Sequence, residues 1–201
     1  MFTGIVAAIG RVVEVKRHGD NARLRVHAGE LSLDQLKLGD SLCVHGVCLT
    51  VVEKFDREFA VDLSPETLAT TTLGALAPGS RVHLEPALAL SSPLGGHLVT
   101  GHVDGVGSVV SRTDQGETYR FRIRAPEIVQ RYISRKGSVC VDGVSLTVNT
   151  VEGAEFSVQI VPHTVQKTIF GDYTQGQLVN IEVDIVARYI ERLLTASKEV
   201  R

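Results

Sequence analysis

The chain carries one domain twice. The hexapeptide Gly46-Val47-Cys48-Leu49-Thr50-Val51 returns 97 positions later as Gly143-Val144-Ser145-Leu146-Thr147-Val148. The same displacement lays Thr3-Gly4 on Thr100-Gly101, Glu58-Phe59 on Glu155-Phe156, Pro65 and Thr67 on Pro162 and Thr164, and Gly79, Val82 and Glu85 on Gly176, Val179 and Glu182. Roughly 29 of the first 88 positions are identical at this displacement with no insertion, which marks a tandem duplication rather than a solenoid of short repeats. The 201 residues therefore divide into a first domain over 1–97, a second over 98–185, and a tail over 186–201 that the first copy lacks.

Within each copy the strand signal dominates. Short runs rich in Val, Leu and Ile, punctuated by glycine, predict strands near 4–15, 22–28, 41–46, 48–54, 57–63 and 80–87 and again 97 residues on. Six short strands in so small a domain predict a closed or nearly closed antiparallel barrel, because closure removes exposed sheet edges. The expected fold class is all-β, two tandem six-stranded barrels. In the repeated hexapeptide, alternation puts Val47, Leu49 and Val51 on one face and Cys48 and Thr50 on the other. Gly46 and Gly143 are expected to mark a bulge or a close approach of two backbones. Ser64-Pro65-Glu66 reads as a helix start, with a capping Ser, Pro at the first position and an acid in the first turn; Val161 replaces that Ser in copy two. Beyond Asp184, Ile185, Val186, Tyr189, Ile190, Leu193 and Leu194 recur at helical spacing. Such an amphipathic helix either packs on its own barrel or meets identical helices of other subunits.

Composition narrows the function. A net charge of −2 with 22% charged residues and no basic stripe argues against nucleic acid, and no apolar run reaches the ~18 residues of a membrane helix. Cys43, Cys48 and Cys140 are too few, and odd in number, for a disulfide framework, so a reducing compartment, the cytoplasm, is expected. The apolar start Met1 to Gly10 lacks a basic residue before it and is copied internally at Thr100 to Gly107, so it reads as part of a folded domain. Cys43-x4-Cys48 and His97-x4-His102 offer four zinc-type ligands, but neither has the tight spacing of a structural site, and no metal is expected.

Where the copies differ is informative. Cys48 faces Ser145 across the repeat, Ile5 faces His102, and Glu66 faces His163. Substitution at one member of a pair is drift, or it fits two pockets to chemically different partners. Both His97 and His102 lie in the glycine-rich join Gly95 to His102, the kind of place where ligands bind, and an imidazole exchanges protons near neutral pH. His102 is expected to matter more than His97.

These segments, namely Met1-Phe2-Thr3-Gly4-Ile5-Val6, the paired Gly-Val-Cys/Ser-Leu-Thr-Val motifs, Ser64-Pro65-Glu66-Thr67 and Gly95-Gly96-His97-Leu98-Val99-Thr100-Gly101-His102-Val103, together resemble the riboflavin synthases of alpha-chain type, over the whole chain. The resemblance implies a dismutation in which two molecules of 6,7-dimethyl-8-ribityllumazine yield riboflavin and 5-amino-6-(ribitylamino)uracil, without metal or redox cofactor. It implies a homotrimer with the productive site between the N-terminal domain of one subunit and the C-terminal domain of the next, the tail helix organising the assembly, and lumazine synthase as a further partner. By position, the copy-one pocket would comprise Cys48, Leu49 and Thr50 with Asp62, Leu63, Ser64, Pro65, Glu66 and Thr67, completed by Gly101, His102, Val103 and Lys136 of the facing domain. The copy-two pocket would comprise Ser145, Leu146 and Thr147 with Gln159, Ile160, Val161, Pro162, His163 and Thr164, completed by Gly4, Ile5 and Val6 of the facing subunit. His102 is the candidate acid or base, Cys48 a nucleophile or polar contact, and Ser145 with Thr147 a proton relay or water site. His163 departs from the acid expected there. The competing reading is a non-catalytic lumazine- or flavin-binding protein on the same duplicated barrel.

Overall fold

A computed structural model describes residues 1–199. The first barrel is built from β1 (Ala8–His18), β2 (Asn21–His27), β3 (Ser41–Val44), β4 (Val47–Lys54), β5 (Glu58–Leu63) and β6 (Arg81–Pro86), closed in the order β1-β2-β5-β4-β3-β6. The second repeats it with β7 (Gly105–Gln115), β8 (Thr118–Arg124), β9 (Ser138–Val141), β10 (Val144–Glu152), β11 (Glu155–Ile160) and β12 (Leu178–Val183). Every neighbouring pair is antiparallel. Each barrel encloses its own core, Leu24, Phe59 and Leu84 in one, Phe121, Phe156 and Ile181 in the other, all shut off from solvent. The all-β expectation is met.

Two details of the sequence reading change. The bulges fall at Val12/Glu14 and Val51/Glu53, and at the copied positions Val109/Ser111 and Val148/Thr150, where an extra residue bends the strand enough to close a small barrel. Gly46 and Gly143 instead belong to the two-residue turns β3–β4 and β9–β10, whose central residues His45, Gly46, Asp142 and Gly143 all have positive φ, at 53°, 88°, 48° and 84°, the pattern of hairpin turns matched to strand twist. These turns meet across the two barrels: a β-carbon on Gly46 would lie 2.8 Å from the Gly143 nitrogen. The second change is at the start of each copy. The first strand begins at Ala8 rather than near residue 4, because residues 2–6 leave the barrel altogether.

Short helices follow β5 and β11. In α1 (Pro65–Thr70), Ser64 caps as expected, its Oγ accepting the Thr67 N–H at 3.1 Å. A single turn, α2 (Glu127–Gln130), precedes β9, and α3 (Pro162–Lys167) starts at Val161 with no side-chain cap. The tail forms α4 (Ile185–Glu199); residues 200–201 of the expected tail lie outside the described residues. Arg188 ties α4 to the second barrel through Asp104 and the His102 carbonyl, both at 2.8 Å, while Glu191 takes Arg131 at 2.9 Å and the Tyr132 hydroxyl. On its apolar stripe Val186, Tyr189, Ile190 and Leu193 are exposed, Tyr189 at 66% and Leu193 at 71%. Among the described residues no helix is long and apolar enough to cross a membrane.

Where the turns meet, the duplicated positions have diverged into a buried polar network. His83 accepts the Ile169 N–H at Nε2 and so carries its proton on Nδ1, which donates to the Asp142 carbonyl; both bonds are 2.8 Å. The Asp142 carboxylate accepts from the Tyr173 hydroxyl at 2.6 Å and the Asn180 N–H at 2.7 Å, with His45 Nε2 at 3.4 Å. Burial lowers His83 to about 3 and His45 to about 4, and raises Asp142 to about 6. The unfolded chain gains protons at both histidines as the pH falls below 6.5, and the folded chain does not until these lower values, so each histidine makes the fold less stable toward acid. Asp142 acts in the opposite sense between pH 6 and its unperturbed 3.8. His83→Gln, which can still accept the Ile169 N–H, is expected to flatten the fall of unfolding free energy between pH 6 and 4 by about 1.4 kcal/mol per pH unit. Urea titrations at stepped pH would read this; parallel wild-type and variant curves would contradict it.

Candidate functional site

Alternation along β4 and β10 builds the site on the outside of each barrel. Val47, Leu49 and Val51 are buried inward, and so are Val144, Leu146 and Val148. That leaves half-buried Cys48 and Ser145, with exposed Thr50 and Thr147, as the outward residues of matching walls. β5 and β11 run alongside, with Val51 opposite Val61 and Val148 opposite Val158. They bring Asp62 to Ser64 and the start of α1 to the first wall, and Gln159 to Val161 and the start of α3 to the second. An open cleft of about 620 Å³ lies where β5 meets the ends of β1 and β2, lined by His18, Asn21, Ala22, Arg23, Asp62, Leu63 and Ser64, and does not reach Cys48 or Thr50.

The segments that leave the barrels complete these walls crosswise. Residues 2–5 cross from the first copy to the second, and residues 99–102 cross back. The two pair as they pass, Phe2 N–H to the Val99 carbonyl at 2.7 Å and Val99 N–H to the Phe2 carbonyl at 3.1 Å. Phe2 and Val99 are fully buried between the barrels beside Cys43, Cys140 and Cys48. Gly4 then receives the Ser145 N–H on its carbonyl, and Gly101 the Cys48 N–H, each at 2.8 Å. Both glycines are obligatory on two counts: φ is +74° and +77°, and an added β-carbon would sit 2.6 Å from Ser145 Cβ or from the Cys48 nitrogen. Ile5 and His102, next in sequence, are exposed. Gly4 to Val6 were expected to reach the copy-two pocket from a facing subunit; Gly4 already lies on Ser145 of its own chain.

Two buried carboxylates hold the crossing segments. Glu85 on β6 accepts the Thr3 N–H at 2.6 Å and its hydroxyl at 2.7 Å on one oxygen, and the Gly4 N–H at 3.0 Å on the other. Glu182 on β12 does the same for Thr100, at 2.7 and 2.6 Å, and for Gly101 at 2.9 Å. Burial raises both carboxyls, and the three donors pull each back down. Sequence reading missed this pair, although the signal was there: Thr3-Gly4 and Glu85 recur together as Thr100-Gly101 and Glu182.

The two histidines of the join are placed differently from each other. His97, 8% exposed, has Nδ1 2.7 Å from Ser145 Oγ. Burial lowers its pKa, so the ring is neutral at neutral pH, and among the described residues Nε2 has no hydrogen-bond partner. His102 makes its contact through the backbone, its carbonyl accepting from Arg188, and its ring is in solvent. His97 is therefore the imidazole in contact with a candidate pocket residue. Lys136 sits in the turn before β9, its N–H on the Val148 carbonyl at 2.8 Å and its side chain exposed; within one chain it joins no copy-one residue by a hydrogen bond or ion pair. Asp62 is engaged by Arg23 at 2.7 and 2.9 Å, which holds its carboxyl below the usual range. Glu66 and His163 are both exposed at the starts of α1 and α3. Among the described residues, Cys43, Cys48, His97 and His102 do not gather into a metal site.

Two stretches of the chain, 3–87 and 100–184, match the lumazine binding domain family, and they are displaced by the same 97 residues as the repeat. The chain is similar to the riboflavin synthase of Photobacterium phosphoreum, 46% identical over 198 residues, covering 98% of this chain and 91% of that one. It is also 46% identical over 202 residues to the riboflavin synthase of Mycobacterium tuberculosis strain H37Rv, covering 98% and 100%. Among solved structures, LumP complexed with riboflavin superposes with a TM-score of 0.85 at 25% identity, covering 91% of this chain and 99% of LumP. LumP complexed with 6,7-dimethyl-8-(1'-D-ribityl) lumazine superposes at 0.82 and 24% identity, a likeness of fold alone. With both barrels matched to lumazine binding domains and relatives of this identity aligned nearly end to end, the chain belongs to the riboflavin synthase family.

Proposed function

We propose that this chain acts as a homotrimer that dismutates 6,7-dimethyl-8-ribityllumazine, with the Cys48 wall of one subunit facing the Ser145 wall of the next across a shared reaction site. The observation that carries the reading is the pair of matching outward walls with different chemistry, Cys48 on one and Ser145 bonded to His97 on the other. A reaction between two identical molecules needs two similar pockets that treat their occupants differently, one as donor and one as acceptor of the four-carbon unit. Fixing two bound rings face to face replaces a bimolecular encounter and supplies ~7 to 11 kcal/mol of the barrier at best.

In this reading the copy-one pocket uses Cys48 to Thr50, Asp62 to Thr67 and the Gly101 to Val103 crossing, with Lys136 arriving from the neighbouring subunit. The copy-two pocket uses Ser145 to Thr147, Gln159 to Thr164 and Gly4 to Val6. His102 handles the proton taken from the lumazine methyl group, while Ser145, polarised by His97, and Thr147 hold water or relay protons. Cys48 adds to the acceptor ring or hydrogen-bonds it. The exposed stripe of α4 supports the trimer, and the three free cysteines support a reducing, cytoplasmic setting. Lumazine synthase is proposed as a further partner on the family resemblance.

The test is incubation of pure protein with the lumazine alone. Riboflavin and the ribitylaminouracil should accumulate in equal amounts, with no added cofactor. Tight binding of riboflavin with no turnover would favour a non-catalytic flavin-binding protein instead.

A further inference from the structure

We infer that Glu85 and Glu182 act crosswise as positioning residues: each carboxylate stands in one barrel and sets the ligand pocket of the other. The inference rests on the reading of the Cys48 and Ser145 walls as the two pockets. Glu85 lies on β6, opposite Cys43 in the first barrel, but the backbone it grips is Thr3 and Gly4, whose carbonyl holds the Ser145 N–H in the second. Glu182 lies opposite Cys140 in the second barrel and grips Thr100 and Gly101, whose carbonyl holds the Cys48 N–H in the first.

The geometry assigns this role over a local one. Each carboxylate spends both oxygens on the crossing segment, with two of its three donors being backbone N–H groups of consecutive residues. That fixes the orientation of a peptide plane as well as its distance. Hydrogen bonds to an ionised acceptor are about twice as strong as neutral ones, and buried N–H groups deprived of an acceptor are costly. The residue after each clamp is Ile5 or His102, and both are exposed. A segment released from its carboxylate would still be threaded between the barrels by Phe2 and Val99, but Gly4 or Gly101 would no longer be pinned against the wall it completes.

The experiment measures riboflavin affinity pocket by pocket in the full-length protein. Thr50→Arg blocks the copy-one pocket and Thr147→Arg the copy-two pocket, so each background reports the remaining one. With only the copy-two pocket open, Glu85→Gln should weaken riboflavin about tenfold or more, the scale of one bond to a charged group, and Glu182→Gln should change it less than about twofold. With only the copy-one pocket open, the order should reverse. Thr100→Val, which removes the hydroxyl bond to Glu182, and Thr3→Val, which removes the hydroxyl bond to Glu85 together with the Ile5 N–H bond, keep the shape, should show the same crosswise pattern at smaller size, and serve if a glutamine variant does not fold. Loss in the barrel where the carboxylate stands, equal loss in both pockets, or no loss in either would overturn the inference. Undiminished binding to the Thr50→Arg/Thr147→Arg double variant would instead overturn the pocket reading itself.

Discussion

Removal of residues 186–201 is expected to yield a monomer with both barrels folded and turnover reduced by about 10³-fold or more, because the two rings would then have to meet by diffusion rather than be held together. Each barrel closes on its own core without any contribution from α4, so folding should survive. Truncation also removes Arg188, which holds Asp104 and the His102 carbonyl, and could disturb the copy-one pocket by that route. Tyr189→Asp and Leu193→Asp separate the two effects. Both side chains are largely exposed in the single chain, at 66% and 71%, so a charge there costs the monomer little, whereas burying it unpaired at a subunit contact is costly. Light scattering should report monomers for these variants, with the same loss of turnover and an unchanged affinity for riboflavin at the Ser145 wall. A stable, active trimer without the helix would show that another surface organises the assembly.

His102→Gln is expected to lose about 10²-fold or more in turnover while folding and binding riboflavin, the usual scale for a general acid or base. Its ring is exposed, on a segment pinned by Glu182 at one end and Arg188 at the other, and the proposed function puts it at the copy-one pocket. Such a placement suits proton transfer to a ligand better than packing. His97 is bonded to Ser145. His97→Gln and Ser145→Ala should therefore behave as a unit, the double variant losing no more than the more damaged single one. Steady-state rates between about pH 5 and 9 check both statements. Wild-type turnover in His102→Gln across that range would leave the imidazole without a chemical role.

How much of this was legible in the chain depends on the range of the interaction. Alternation in the repeated hexapeptide correctly separated buried Val47, Leu49 and Val51 from outward Cys48 and Thr50, because strand periodicity is local. The Ser64 cap was legible for the same reason, since its bond reaches only three residues ahead. The start of β1 was misplaced because residues 4–7 look like strand, and what diverts this stretch is Glu85, more than eighty residues away. The contact of His97 with Ser145 was hidden for the same reason, since nothing in a 48-residue separation announces it. Glycines 46 and 143 were expected to mark a bulge or a close approach; the bulges fall elsewhere, and the close approach is of each to the other. Duplication signals sameness within each copy well, and contacts between the copies poorly.

The sharing of one reaction site between subunits is tested most directly by mixing two inactive variants. Thr50→Arg and Thr147→Arg each spoil one of the two walls, and each should be inactive alone. If they are unfolded together and refolded as mixed trimers, some contacts will join the intact Cys48 wall of one variant to the intact Ser145 wall of the other. Random assembly at equal amounts should restore about one quarter of wild-type turnover, since a head-to-tail contact needs one particular variant on each side. A mixture as inactive as its parents, with mixed trimers verified by mass, would contradict a site built between subunits.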